Sequence, residues 1–326
     1  MNQNQNKKFF LFISIAIIIL AILPVIGSQK LNFIHVIQDT NSIDAEIFFH
    51  IRLPRVFFAF LVGALLSIVG AAFQALLRND LATPYTLGVS SGGAFGAVLA
   101  LKLNITFSIF FLSAVSIFSI SGSLVAISLI YFIAKSKRGI SIYTLILSGV
   151  AISFFFSSFN LFIHYLADFT ETYRMIRWLM GALDVYGWNF TISTFIVVVF
   201  VFAYFFKNYQ AFNIVLAGEE VALSKGVEVE RLQKISFFMG SAAVGFVVAI
   251  AGPIGFVGLV IPHIVRLLFG ANHKFVFSGS LIGGGVFLAA CDTVARTIIA
   301  PAELPVGIIT ALVGGPFFIY LLIKKK

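Results

Sequence analysis

Charge is scarce in this chain of 326 residues: Asp, Glu, Lys and Arg make up 11% of it, against roughly a quarter in an ordinary globular domain. A soluble domain with a solvated surface is excluded. Cysteine is almost absent as well. The single Cys291 rules out a disulfide framework, or a thiolate-held metal or cluster site, built from this chain alone. No G-x-x-x-x-G-K-[ST] occurs, so a nucleotide phosphate cannot be cradled by a P-loop, and any ATP hydrolysis coupled to this chain belongs to another subunit. H-E-x-x-H is missing too, and His35, His50, His164, His263 and His273 stand on separate segments. That scatter argues against a metalloenzyme; no metal site and no cofactor are expected.

What is present is apolar surface: 60% of the residues are hydrophobic and 39 are phenylalanine. At about 20 apolar residues per crossing, such a chain supplies roughly ten transmembrane helices with little left for an extramembrane domain. The apolar runs are 9–26, 55–77, 84–101, 107–134, 142–166, 190–206, 233–252, 255–269, 276–296 and 305–323. The expected fold is therefore all-α, a polytopic membrane protein with residues 1–326 forming one transmembrane domain. The first run is long for a signal peptide and lacks a clear small-x-small cleavage site, so it is read as a span.

Lys and Arg decide the orientation, because cytoplasmic loops carry the excess. With both termini inside, Lys7, Lys8, Arg78, Lys135, Lys137, Arg138, Lys207, Lys225, Arg231, Lys234, Arg266, Lys274, Lys324, Lys325 and Lys326 are cytoplasmic. Lys30, Arg52, Arg55, Lys102, Arg174, Arg177 and Arg296 then lie outside. The net charge of +9 is thus topological and does not call for nucleic acid. No carboxylate falls in the middle of a span, which counts against an ion-coupled carrier. The nearest is Asp292, one turn before Arg296, where a local helix-end ion pair is expected.

Two surfaces hold candidate functional residues. In the cytoplasmic loop 207–234, Gly218 and Gly226 bracket one or two helical turns, with Glu219 and Glu220 at the positive end and Lys225 near the negative end. So short a helix persists only when docked, on its own bundle or on a partner. At the outer mouth, Arg52 and Arg55 open the second long span and Arg296 closes the ninth. Arginines there act as interfacial anchors or receive an acidic partner. Gly88 to Gly96 and Gly283-Gly284-Gly285 permit close helix approach. The stretch Gly252-Pro253-Ile254-Gly255-Phe256-Val257-Gly258 reads as a tight outer turn.

Taken together, Arg52-Leu53-Pro54-Arg55, Gln74-Ala75-Leu76-Leu77-Arg78-Asn79, Leu87-Gly88-Val89-Ser90-Ser91-Gly92, the Gly218-Glu219-Glu220 loop, Gly252 to His263 and Ala302-Glu303-Leu304-Pro305-Val306-Gly307 closely resemble the iron-siderophore, haem and cobalamin permease (FecCD) family of ABC importers. The resemblance covers about residues 50–322. It implies a type II importer permease in the bacterial cytoplasmic membrane, a transport subunit and not an enzyme. Its implied partners are a second permease subunit, identical or paralogous, two cytoplasmic ATPase subunits, an extracytoplasmic substrate-binding protein and a metal-chelate substrate. Gly218, Glu219, Glu220, Ala222 and Gly226 then fall at the ATPase contact, with Lys225 standing where the family usually has an apolar residue. Arg52, Arg55 and Arg296 fall where the binding protein docks. Ser141, Ile142 and Tyr143 fall at the cytoplasmic gate, where the cobalamin member has small hydroxyl residues. The implied cargo is a ferric siderophore or similar chelate, with haem and cobalamin as alternatives.

Overall fold

A computed structural model of the chain describes residues 3–29, 31–39, 41–109, 112–136 and 139–324. Lys30, Lys137, Arg138, Lys325 and Lys326, used above to orient the chain, lie outside the described residues, as does the side chain of Ile142. Helix α1 (Gln3–Ile22) runs into a 3₁₀ turn, Leu23–Val25, and two short outer helices follow, α2 (Phe33–Gln38) and α3 (Ile43–Glu46). A π-helical stretch, Ile47–Arg52, joins α3 to α4 (Leu53–Leu76), so the second long span begins twelve residues before the sequence reading placed it. The remaining helices are α5 (Val89–Lys102), α6 (Ala114–Ala134), α7 (Ile142–Tyr165), α8 (Phe169–Leu179), α9 (Asn189–Lys207), α10 (Tyr209–Leu216), α11 (Glu219–Ser224), α12 (Val229–Ala251), α13 (Val257–Phe269), α14 (His273–Ala295) and α15 (Val306–Lys324). Two hairpins of two-residue strands occupy turns: β1 (Ser108–Ile109) with β2 (Leu112–Ser113), and β3 (Lys135–Ser136) with β4 (Gly139–Ile140). The first lies where the fourth apolar run was expected to be helical already; Ser113 ends it by capping α6, its side chain accepting from Ser116 N.

Seven helices are long and apolar enough to cross a membrane, and α5, α13 and α15 are shorter apolar helices, which together make the ten expected segments among the described residues. The protein is an all-α, multi-pass membrane protein.

At its centre stands α4, apolar around its whole circumference and buried almost throughout, with α9, α12, α13 and α14 packed about it. Lipid tails are as apolar as leucine, so these helices gain association energy from close packing and not from leaving water. Glycine makes the approach possible. A Cβ on Gly63 would collide with the carbonyl of Gly284, and one on Gly70 with that of Gly258. The second layer repeats the device: α5 and α6 touch at Gly92 and Gly122, and Ser123 Oγ donates to Val89 O at 3.1 Å.

Outside the bundle, α8 is amphipathic and begins with a reciprocal capping box. Asp168 accepts from Glu171 N at 2.8 Å, and Glu171 Oε2 accepts from Asp168 N at 3.0 Å. Lys102 Nζ donates to the same Glu171 oxygen at 2.7 Å, and that hydrogen bond holds the carboxyl below the usual carboxylate range.

Because backbone occupies the space a side chain would need, Gly284→Leu is expected to forfeit the α4–α14 contact. The thermal midpoint in detergent should fall by far more than for Gly315→Leu, whose Cβ meets open space.

Candidate functional site: outer rim, mid-depth break and cytoplasmic face

The three outer arginines converge, as their separation in sequence could not show, but they are not free rim charges. Arg52, Arg55 and Arg296 are 5%, 8% and 4% exposed. Arg55 binds Asp292 through two nitrogens, with Nε 3.1 and 3.2 Å and Nη2 3.0 Å from the carboxylate oxygens, and Asp292 is 1% exposed. Its remaining nitrogen, Nη1, faces outward and meets Glu303 at 2.8 Å and Asp184 at 3.4 Å. Arg52 donates to the carbonyls of Val25, at 3.1 Å, and Gln29, while Arg296 donates to the carbonyl of Leu23 at 3.2 Å and to Thr293 Oγ1 at 3.0 Å. Two guanidiniums therefore hold the turn that ends α1, and the third ties α4 to α14.

The local pair expected between Asp292 and Arg296 is present, at 3.9 Å, as the weaker of the two that Asp292 makes. The closer partner of Asp292 is Arg55, 237 residues away in sequence. A planar guanidinium meets a carboxylate with two parallel bonds, which Arg55 makes with Asp292 and Arg296 does not.

A correction to the sequence reading lies deeper. The stretch Gly252–Phe256 is not a tight outer turn. Gly252, at φ +68°, sits beside Gly181 and the carbonyl of Trp178 at the outer end, whereas Gly258 lies against Leu66 and Gly70, past the midpoint of α4. The intervening residues descend as non-helical backbone. From the other side, the chain after α4 returns through Thr83-Pro84-Tyr85-Thr86 before α5 starts at Gly88, φ +75°. The two breaks share a cavity of about 210 Å³ lined by Leu66, Thr83, Tyr85, Thr86, Phe256 and Leu259, among others. Their backbone groups are met within the protein: Gln74 Nε2 donates to Gly258 O at 3.1 Å, and Thr83 and Thr86 each receive the other's backbone N–H on a hydroxyl. Irregular backbone survives at that depth only when it is buried in protein or borders a cavity. Gln74 also accepts from Arg266 Nη2 at 2.7 Å, and Arg266 pairs with Asp80 at 3.2 Å. This junction of α4, α13 and the following loop was not anticipated; the Gln74 motif and the short eighth apolar run were its only traces in the sequence.

At the end of the bundle opposite the three arginines, the loop 207–234 is mostly helix. Gly218 and Gly226 bracket α11 as expected, with φ +128° and +76°. The helix is docked on its own bundle through Ala222, which is fully buried, so Ala222 anchors α11 and does not present contact surface. Glu219, Glu220, Val221, Leu223 and Lys225 face outward. Beneath it α10 is fastened to α14, where Asn213 Oδ1 lies 2.8 Å from His273 N and 2.9 Å from His273 Nδ1. At the start of α7, Ser141 caps the helix, accepting from Thr144 N at 3.3 Å, and Tyr143 is 78% exposed. Beyond it, α7 carries a long uncovered apolar face with Leu147, Phe154, Phe155 and Phe162.

Residues 13–324 match the FecCD transport family. The chain belongs to that family. An uncharacterized ABC transporter permease of Bacillus subtilis, YvrB, is 40% identical over 86% of this chain and 79% of its own length. The hemin transport system permease HmuU of Yersinia pestis is 32% identical over the full chain and 98% of its own. Among solved structures, an ABC transporter described as metal-chelate type, in an inward-facing conformation, superposes with a TM-score of 0.86 at 30% identity, over 98% of this chain and 99% of that one. This FecCD permease is accordingly a transport component of an ABC transporter.

Breaking the buried pair from one side leaves an uncompensated charge, which costs about 3–5 kcal/mol. Asp292→Ala in this permease is expected to lower its thermal midpoint strongly, whereas Glu303→Gln, on the 40%-exposed partner, should shift it little; circular dichroism of the purified protein measures both.

Proposed function

We propose that this FecCD permease moves a bulky metal chelate, a ferric siderophore first and haem or cobalamin otherwise, into the cytoplasm as part of a binding-protein-dependent importer. The observation that carries this reading is the whole-length superposition on a metal-chelate type ABC transporter. The uncovered apolar face of α7 supports a second permease subunit, which together with this one encloses a pathway. Apolar walls such as this face of α7 suit a large preassembled chelate. An ion-coupled carrier would instead need an available carboxylate within the membrane, and Asp292 is already held by Arg55.

In this reading both termini and α11 face the cytoplasm, and ATP is hydrolysed on separate subunits that meet the outward side of α11. Ser141, Ile142 and Tyr143 form the inner gate. The binding protein docks at the outer rim, where one feature of the arginine network is open to exchange. Asp292 occupies the inner side of Arg55, but Glu303 and Asp184, 40% and 54% exposed, hold only its outward nitrogen. A carboxylate on the binding protein competes with these two, while Arg52 and Arg296 keep the rim in shape.

Uptake assays on a deletion strain offered a panel of ferric chelates, haem and cobalamin test the function. One class should be taken up only when both this chain and its ATPase are present; uptake that persists without the ATPase overturns the reading. Replacing both Glu219 and Glu220 with arginine reverses the charge of an exposed surface, so membrane insertion should be normal while the ATPase fails to copurify. Wild-type transport by that variant would remove α11 from coupling.

For docking, the variant Asp184→Asn with Glu303→Gln frees the outward side of Arg55. It should bind the loaded binding protein several-fold more tightly at low salt, with the gain shrinking as ionic strength rises. Equal or weaker binding at low salt would exclude Arg55 from the contact.

A further inference from the structure

The lipid-facing side of α9 carries a feature that neither transport nor coupling uses. Between α4, α9 and α14 runs an apolar groove of about 480 Å³, walled by Phe60, Leu61, Phe195, Val199, Phe202 and Leu281 and ending at Lys207. Lys207 also borders a second recess of about 440 Å³ at the same end of α9, of mixed lining, where Asn208, Glu228 and Arg231 stand beside Val227 and Leu232. One basic residue thus stands between an apolar groove and a recess that carries charged groups.

Length and charge identify the occupant. From Phe195 to Lys207 the helix rises roughly 18 Å at about 1.5 Å per residue. One leaflet contributes about 15 Å of a ~30 Å hydrocarbon core. The groove therefore has the depth of a single leaflet, and it opens sideways, with Phe195 and Val199 about half exposed along its wall. Glu228 pairs with Arg231 at 3.3 Å, whereas Lys207 is exposed and has no acidic partner among the described residues, so the recess keeps a net positive charge. A soluble protein cannot reach a groove that climbs into the hydrocarbon, and a free anion would have no use for its apolar walls.

We infer that this face binds one phospholipid of the cytoplasmic leaflet, an anionic one, with an acyl chain in the α4–α9–α14 groove and the headgroup phosphate at Lys207 and Arg231. Such a lipid would fill the gap beside Phe60, whose ring also packs where Gly285 has no side chain, and so support the contact of α4 with α14 from the membrane side.

The test is native mass spectrometry of the full-length protein released from phosphatidylcholine nanodiscs prepared with and without phosphatidylglycerol, counting phospholipids retained. Wild-type protein should keep one phosphatidylglycerol in preference to phosphatidylcholine. Lys207→Gln should reduce that preference about fivefold, the scale of one basic residue at an anionic surface. Val199→Trp fills the groove from an exposed position, so folding is spared, and it should lower retention of both lipids; Phe195→Trp provides a second filling variant. Added inorganic phosphate should not compete. Retention unchanged in both Lys207→Gln and the tryptophan variants overturns the inference. So does competition by inorganic phosphate together with wild-type retention in Val199→Trp, which would mark a free-anion site. A loss of dimer with lipid retention intact would assign the groove to a second copy of the chain, and would overturn it equally.

Discussion

Arg55 and Asp292 form the one ion pair from which the outer half of this permease is organised. Neither charge would be tolerated alone so far from water, since a buried ion without its counter-ion costs several kcal/mol. Placed together, they oblige the outer ends of α4 and α14 to meet in one register, and bidentate geometry leaves little rotational freedom. The glycine contact of Gly63 with Gly284 lies two turns further along the same two helices. Charge fixes the end of the pair and backbone contact fixes its middle. With that axis set, Arg52 and Arg296 grip the turn after α1, and Glu303 brings the segment before α15 onto the same rim.

A bilayer gives no water to satisfy stray backbone groups, so the non-helical stretches at mid-depth need partners inside the protein. The breaks before α5 and α13 find them in Thr83, Thr86 and Gln74. Two helices are thereby shortened to 14 and 13 residues, too short to span alone, and a cavity opens where long helices would have left none. The cavity lies between two segments of irregular backbone whose hydrogen bonds are made by glutamine and threonine side chains.

The opposite end of the bundle follows a different logic. There α11 has six residues, which is below what holds a helix in water, and it persists because Ala222 seats it on the bundle while glycines at positive φ turn the chain in and out. Its outward residues keep their freedom to meet another surface. The arginine rim locks its charges inward, and the α11 end leaves its charges exposed.

How much of this was legible in the sequence depends on the range of the interaction. Composition alone determined a ten-segment helical membrane protein, because a bilayer demands about 20 apolar residues wherever the chain crosses and that demand is local. The glycines around α11 were readable for the same reason: a positive φ is a property of one residue. Several ordered motifs carried the family resemblance, and the comparisons support it across residues 13–324. Partnership across the chain was not readable. Asp292 has Arg296 one turn away, and the pair that spacing favours does form, yet the fold adds Arg55, closer and with better geometry. Gly252–Phe256 has the composition of a surface turn, and only the packing of Gly258 against Gly70 reveals that it descends into the bundle. Residue type and spacing set what each segment is able to do; which groups meet was decided by the tertiary structure, because desolvation and backbone contact act between atoms that sequence distance does not order.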